Sequence, residues 1–394
     1  MKQNRREFLH GTGMAVAPMI LPQAARGAND RIVFGLIGAG GRGRGVTGNF
    51  KERGAQCAAI ADIYEPNLEL GLKVAGEAAK PYSDYQELLA RKDLDAVLIA
   101  SPDHHHAPML YAAIEAGKDA YLEKPMSHSI EQGNEMIRRV RATKQIVQIG
   151  MQRRSSPSVL ACKRLIETGM LGDVYLCRVQ WFWNTSRPLN NTPLPGKVNW
   201  DRFLGPAPKR PLEPMRFRSW RVFWDYSGGN MTDQGTHLMD AVQFLTGKGT
   251  PRAAVCQGFV YRMKGAETPD CFSASFEYDG MMATWTLNYN NSYQNGWTIF
   301  LHGTQATMML DNDGFRIYQE PFAKNPTPGY EFKGPISTQA HVDNFLDCVR
   351  TRKQPNAPVE VGHTAVCGPH LANVAWRQKR EVRLSADART VSSG

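Results

Sequence analysis

The sequence predicts an α/β protein in two parts: a doubly wound parallel sheet first, then an α+β domain with a large open-faced, mostly antiparallel sheet. Three observations predict it. Short apolar runs alternate with helical stretches from residue 31 to about residue 152, the texture of strand–helix–strand units. The first run feeds a glycine cluster that opens a helix. Beyond Cys162 the runs lengthen, and several alternate apolar with polar residues, as in Phe272-Ser273-Ala274-Ser275-Phe276. That is the period of a sheet with one covered face.

Residues 1–28 read as an export leader. Asn4-Arg5-Arg6-Glu7-Phe8-Leu9 is a twin-arginine pattern, Gly11 to Leu21 is apolar and rich in small residues, and Pro22-Gln23-Ala24-Ala25 suits cleavage. The apolar stretch is too short to stay in a bilayer as an anchor. The twin-arginine route exports folded proteins. The expected location is therefore periplasmic or secreted, with the twin-arginine translocase as a transient partner.

Residues 29–152 form the predicted first domain, with strands at 32–38, 56–62, 96–100, 120–123 and 146–151. Helices are expected at 108–116 and 130–141, the second opened by Ser129 and Gln132 as a capping box. The first strand runs into Gly38-Ala39-Gly40-Gly41-Arg42-Gly43. Gly38 permits a tight turn, Gly40 keeps the backbone open to a pyrophosphate, and Gly43 lets the helix pack close to the strand. The helix N-terminus offers free N–H groups and a positive dipole end. Asp62 ends the second strand nineteen residues after Gly43, where its carboxylate can accept both ribose hydroxyls and repel a 2′-phosphate. A Rossmann domain that prefers NAD over NADP is expected.

Residues 153–387 make the second domain. A long strand is predicted at 173–183, then a loop rich in Pro, Arg and Trp at 184–226. Strands follow at 252–263, 271–278, 282–289, 298–302 and 306–310, and helices at 338–352 and 362–380. Residues 388–394 read as a tail.

Three further constellations carry chemistry. Ser101-Pro102-Asp103-His104-His105-His106 follows a strand, so it faces the crevice where ligands lie in such sheets. Consecutive side chains diverge, so the three histidines do not form one metal site, and no metal is expected. Glu123-Lys124-Pro125 ends the next strand and can place a cation beside a reacting hydroxyl. In Gly228-Gly229-Asn230-Met231-Thr232-Asp233-Gln234-Gly235-Thr236-His237, Asp233 and His237 stand four apart and share a face of a helix. A His beside a carboxylate suits proton transfer; alone, the pattern equally fits a capping Asp and a hydrogen-bonded His. Trp181, Trp183, Trp200, Trp220 and Trp224 offer faces for a sugar ring, or fill core and interface. Arg216 or Arg218 can bind hydroxyls or an acid group.

These motifs, in this order, resemble the glucose–fructose oxidoreductase/inositol dehydrogenase (Gfo/Idh/MocA) family over nearly all of the chain after the leader. The resemblance implies a tightly held NAD(P), a sugar or cyclitol substrate, and homo-oligomers formed through the second sheet. It implies Lys124 and His237 as the catalytic pair, with Asp233 orienting the substrate. The expected cofactor contacts are Gly38, Gly40, Gly41, Arg42, Gly43, Asp62, Ser101, Pro102, His106, Glu123, Lys124 and Gln152. The expected substrate contacts are Lys124, Arg153, Trp183, Asp233 and His237. The leading expectation is an NAD-dependent dehydrogenase acting on a secondary alcohol of a sugar, cyclitol or glycoside. The alternative is an NAD-dependent glycosidase working by oxidation, elimination and reduction. The family's glycosidases carry a Tyr-Pro-Thr-His type sequence where this chain has Thr232 to His237. A silent nucleotide-binding sensor is the third reading.

Composition narrows the partners. The 394 residues suffice for two domains, and the net charge of +10 is spread along the chain without a basic block interleaved with aromatics. Nucleic acid is therefore not an expected partner. The seven cysteines form no CxxC pair, so they read as buried small hydrophobes.

Overall fold

A computed structural model describes residues 31–321 and 327–393; the expected leader lies outside them. The first sheet is built from β1 (Val33–Ile37), β2 (Gln56–Ala61), β3 (Lys80–Tyr82), β4 (Ala96–Ile99), β5 (Asp119–Leu122) and β6 (Val147–Ile149). Between them lie α1 (Gly41–Glu52), α2 (Glu65–Ala75), α3 (Tyr85–Leu89), α4 (His106–Glu115) and α5 (Ile130–Arg141). Strand order is β3-β2-β1-β4-β5-β6, and every neighbouring pair is parallel. The order reverses at β1, so the crevice beyond the carboxyl ends of β1 and β4 is where a ligand is bound in such a sheet. The central strands are apolar throughout, as burial on both faces requires. The short edge strand β3, with Pro81 in it, carried no apolar run to predict it. Ser129 caps α5 through Gln132 N at 3.1 Å, while the Gln132 side chain reaches back to His128 N at 2.8 Å.

Helix α6 (Pro157–Glu167) leads into β7 (Val174–Phe182). The following loop holds two short helices, α7 (Trp200–Leu204) and α8 (Pro214–Arg218). Next come α9 (Gly229–Asp233), α10 (Gly235–Thr246), β8 (Ala253–Phe259), β9 (Cys271–Tyr278), β10 (Met281–Asn288), β11 (Gly296–Gly303) and β12 (Ala306–Leu310). The chain continues through β13 (Gly314–Gln319), β14 (Tyr330–Lys333), α11 (Gln339–Thr351), α12 (Val359–Gln378), β15 (Val382–Leu384) and β16 (Val391–Ser393). These strands form a ten-stranded sheet in the order β14-β13-β12-β11-β7-β10-β9-β8-β15-β16. It is antiparallel except where β7 meets β10. Its covered face, carrying Val179, Phe276 and Trp285, packs on Leu238, Val242, Leu371 and Ala375 of α10 and α12. The other face exposes Tyr175, Val255, Phe259 and Met282.

Three details depart from the sequence reading. Strands β13 to β16 were not expected, because polar edge strands lack clean alternation; β16 lies inside the supposed tail. The 184–226 loop contains helices too short for a periodic signal. Helix α11 packs Val342, Phe345 and Leu346 against Phe34, Phe50 and Tyr121 of the first sheet and its α1, so the first core is completed from the far end of the chain. All seven cysteines are free thiols, six of them buried.

Candidate active site

The turn after β1 is shaped by contacts that leave no room for side chains at two positions. Gly38 has φ +90, and a Cβ there would lie 2.7 Å from Ala100 O. A Cβ on Gly43 would lie 2.1 Å from Gly38 O, so α1 sits directly on the turn. Gly40 and Gly41 differ: nothing in the protein lies within 4 Å of a Cβ at either. Packing does not demand glycine there, and both line a crevice of about 780 Å³. The first turn of α1 has neither a side-chain cap nor an acidic residue, so its N–H groups are free for an anion.

Asp62 holds this turn in place. Its carboxylate accepts from Ala39 N at 2.7 Å and from Tyr64 N at 2.9 Å. Burial pushes its pKa up to about 6, against the pull of those N–H groups. Asp62 itself lines the crevice. Arg42, Ser101 and Pro102 line the same space, and Phe203, Trp220 and Arg221 close it from the second domain. An open glycine cradle, free helix N–H groups and a buried acceptor fit an adenine dinucleotide.

A second cavity of about 460 Å³ adjoins it, with Arg42, Ser101, Trp220 and Arg221 common to both linings. Lys124 enters from the end of β5, next to a cis Lys124–Pro125 bond. Its ammonium donates to Asp233 Oδ1 at 2.6 Å and to Asp233 O at 2.8 Å. Burial pushes the Asp233 carboxyl up, but Lys124 and Arg221 outweigh it and hold the pKa at about 2. Glu123 pairs with Arg42 at 2.7 Å. A Cβ on Gly150 would press on that Glu123 carboxylate at 2.9 Å, so the pair requires a glycine behind it. His237 also lines the cavity; its Nδ1 is buried without a partner, which leaves Nε2 to meet a substrate. Burial, then the cations Lys124 and Arg153, hold its pKa well below the ordinary histidine value.

The structure brings Glu123, Lys124, Gln152, Arg153, Asp233 and His237 into one cavity, and it moves several other expected residues out. Asp233 and His237 do not share one helix: α9 ends at Asp233, and α10 begins at Gly235. His106 lines neither cavity. Its ring nitrogens lie 2.7 Å from Pro125 O and 2.9 Å from Ser101 O, so it braces the turn that carries Lys124. His104 and His105 both meet Phe203 O, at 2.8 and 2.7 Å. Among the described residues no group of three or more His, Cys, Asp or Glu is placed to hold a metal. Gly43 touches the turn instead of the crevice. Trp183 stands outside the cavity, behind Trp181 and Tyr289 at ring distances of 5.5 and 5.9 Å. Of the five tryptophans, Trp181 and Trp220 line the cavity. Trp200 stacks on Phe203, and Trp224 packs on Trp376. Arg216 is tied to Glu213, Asp225 and Glu267, while Arg218 donates to backbone carbonyls of the loop.

Sequence reasoning missed Arg221, Gln234 and Tyr289 as cavity residues. Tyr289 left a signal: it continues the inward series Ala283, Trp285, Leu287, where a phenol is out of place unless something meets it. Arg221 left none.

Comparison with known proteins fits this arrangement. The model of the Gfo/Idh/MocA oxidoreductase family, NAD-binding Rossmann fold, matches residues 32–151, and that of the family's C-terminal alpha/beta domain matches residues 156–393. Levoglucosan dehydrogenase of Pseudarthrobacter phenanthrenivorans is 28% identical over 308 residues, 71% of this chain and 72% of that protein. Inositol 2-dehydrogenase of Rubrobacter xylanophilus is 31% identical over 156 residues, spanning 39% of this chain and 44% of its own. The crystal structure of the WlbA dehydrogenase from Bordetella pertussis, in complex with NADH and UDP-GlcNAcA, shares the fold at a TM-score of 0.71. It is 20% identical, covering 91% of this chain and 100% of that one.

Proposed function

Because the chain belongs to the Gfo/Idh/MocA family of NAD-binding oxidoreductases, we propose that it is a dehydrogenase of a secondary alcohol on a sugar, cyclitol or glycoside. One observation carries the reading: Lys124, Asp233 and His237 meet in a cavity that opens onto the glycine-lined crevice. NAD bound in that crevice supplies the hydride acceptor. Asp62 would accept hydrogen bonds from its ribose hydroxyls, and the free N–H groups of α1 would hold its pyrophosphate.

The chain's own residues move the proton. A lysine ammonium has three donors; two of Lys124's go to Asp233, and the third is free for the substrate hydroxyl. There it lowers the hydroxyl's pKa and stabilises negative charge on the oxygen. His237 is neutral at neutral pH, so its Nε2 accepts the proton. Asp233 keeps Lys124 aimed, and its other oxygen takes a bond from Gln234 at 3.2 Å. The test is single-turnover reduction of NAD by a panel of sugars and cyclitols, read by absorbance. No reduction by any of them, with glycosides releasing their aglycone instead, would favour the redox-neutral glycosidase.

We also propose export by the twin-arginine route, supported by Arg5-Arg6 and the apolar stretch after them. Replacing both arginines with lysine should retain the precursor in the cytoplasm. Assembly through the exposed face of the ten-stranded sheet is supported by Tyr175, Phe259 and Met282, which are 53%, 63% and 47% exposed. Light scattering should then give a mass above one chain, falling when Met282 is changed to Glu. Among the described residues no helix is long and apolar enough to cross a membrane.

A further inference from the structure

The substrate cavity contains a guanidinium to which no carboxylate is hydrogen-bonded. Arg153 is 5% exposed, and its Nε and Nη1 are sealed from water without a hydrogen-bond partner. Its charge lies over the rings of Trp297 at 4.3 Å and Trp181 at 5.4 Å. Burial pushes its pKa down, to about 9, which still leaves it cationic at neutral pH. A buried charge without a partner is costly.

The acids nearby are engaged elsewhere. Asp240 bonds Arg154 at 2.5 Å through Oδ1 and acts on Arg153 through space only, its Oδ2 being buried without a partner; Asp233 is held by Lys124 and Arg221, and Glu123 by Arg42. Asp103 accepts from Ser227 Oγ at 2.7 Å, and burial pushes its pKa up to about 6. The cavity therefore carries an excess of positive charge, with Arg221 as a second cation at its rim. Two more buried donors without partners stand in the same lining, Trp181 Nε1 and the Tyr289 hydroxyl.

Resting on the dehydrogenase reading, we propose that the substrate is an acid, and that Arg153, with Trp181 and Tyr289 beside it, receives the carboxylate of a sugar acid or cyclitol acid. The indoles take the face of the guanidinium and leave its edge to the ligand. Nε and Nη1 are sealed, so a carboxylate meets that edge at Nη2, in a charge-assisted bond. Arg153 is thus a specificity residue, separate from the proton-transfer groups.

The test compares D-glucuronate and D-galacturonate with their methyl esters and parent hexoses. Binding to the NAD-loaded protein is measured by calorimetry, and NAD reduction by absorbance. The wild-type protein should bind at least one acid ~30-fold or more tighter than its ester, within the range for hydrogen bonds to a charged group. Arg153→Met, which keeps the stacking volume, should bring acid and ester near parity while NAD binding and the thermal midpoint hold. Arg153→Lys should recover part of the preference, and it serves if the Met variant fails to fold. Equal binding of acid and ester, no binding of either acid, or a preference that survives Arg153→Met overturns the proposal. Tight acid binding without NAD reduction would support the carboxylate subsite and refute the dehydrogenase reading. NAD reduction by the hexoses without acid preference would do the reverse.

Discussion

Replacing Lys124 with Met should separate what this residue does for the reaction from what it does for the fold. Its ammonium is the main partner of a carboxylate that is itself buried, Asp233 being 6% exposed. Asp233 sits at a pKa of about 2 against an ordinary 3.8, worth about 2.5 kcal/mol of preference for the charged form. A depressed carboxyl pKa contributes stability that is present above the unfolded value and lost as pH falls through the folded one. Removing Lys124 leaves Arg221 at 3.5 Å and Gln234 at 3.2 Å, neither of which replaces a 2.6 Å ion pair. Breaking a buried pair costs about 3–5 kcal/mol, and the remaining partners bring the expected loss toward the low end, about 3 kcal/mol. The double variant Lys124→Met/Asp233→Asn removes both charges and should regain most of it. Activity should not follow: each single variant should lose at least ~100-fold in kcat, and the double should be no better and far from additive. Urea unfolding at pH 7 and single-turnover NAD reduction read the two effects. If the double variant is as unstable as the two single losses added together, the residues are not a coupled pair. If Lys124→Met reduces NAD at near-normal rate, the lysine has no role at the hydroxyl.

His237→Ala should lower kcat at least ~100-fold with NAD affinity unchanged by fluorescence titration. Because His237 is held neutral, the wild-type kcat should show no step near pH 6.5. Asp62 has a folded pKa raised to about 6, so its ionised form, the better acceptor for ribose, gives way to the protonated form below that pH. NAD affinity should therefore rise as pH increases through 6, by up to about tenfold per unit below it, and Asp62→Asn should flatten the profile and relax discrimination against NADP. Gly40→Ala and Gly43→Ala should part company in differential scanning calorimetry and NAD titration. The first adds a methyl where nothing lies within 4 Å, so stability holds while NAD binding weakens; the second drives a Cβ to 2.1 Å from Gly38 O and should cost both.

The parts legible in the sequence were those that repeat or that chemistry confines. Apolar runs announced the parallel strands, because a strand buried on both faces admits little else. Gly38 and Gly43 were legible because a backbone contact leaves one residue type, and Asp62 because it ends the second strand. Illegible were features set by distant chain segments. The break at Gln234 that splits α9 from α10 left no proline behind it. His106 read as a cofactor contact because its motif sits at the crevice, yet the carbonyls that claim both its nitrogens come from Ser101 and Pro125. Arg153 was legible as a site residue, but its lack of a direct ion pair appears only once Asp240 is seen bonded to Arg154.

Helix α11 has a consequence for how the chain comes off the ribosome. Phe34 and Phe50 are synthesised early, yet Val342, Phe345 and Leu346, which cover that side of the first core, emerge some three hundred residues later. Until then the nascent chain carries an apolar face with no lid. A fragment that stops at residue 152 should expose it and aggregate, whereas the same segment within the whole chain is sealed. The nucleotide half is therefore not a module that can be cut out and moved to another protein. Its completion reports that synthesis has reached the last helices.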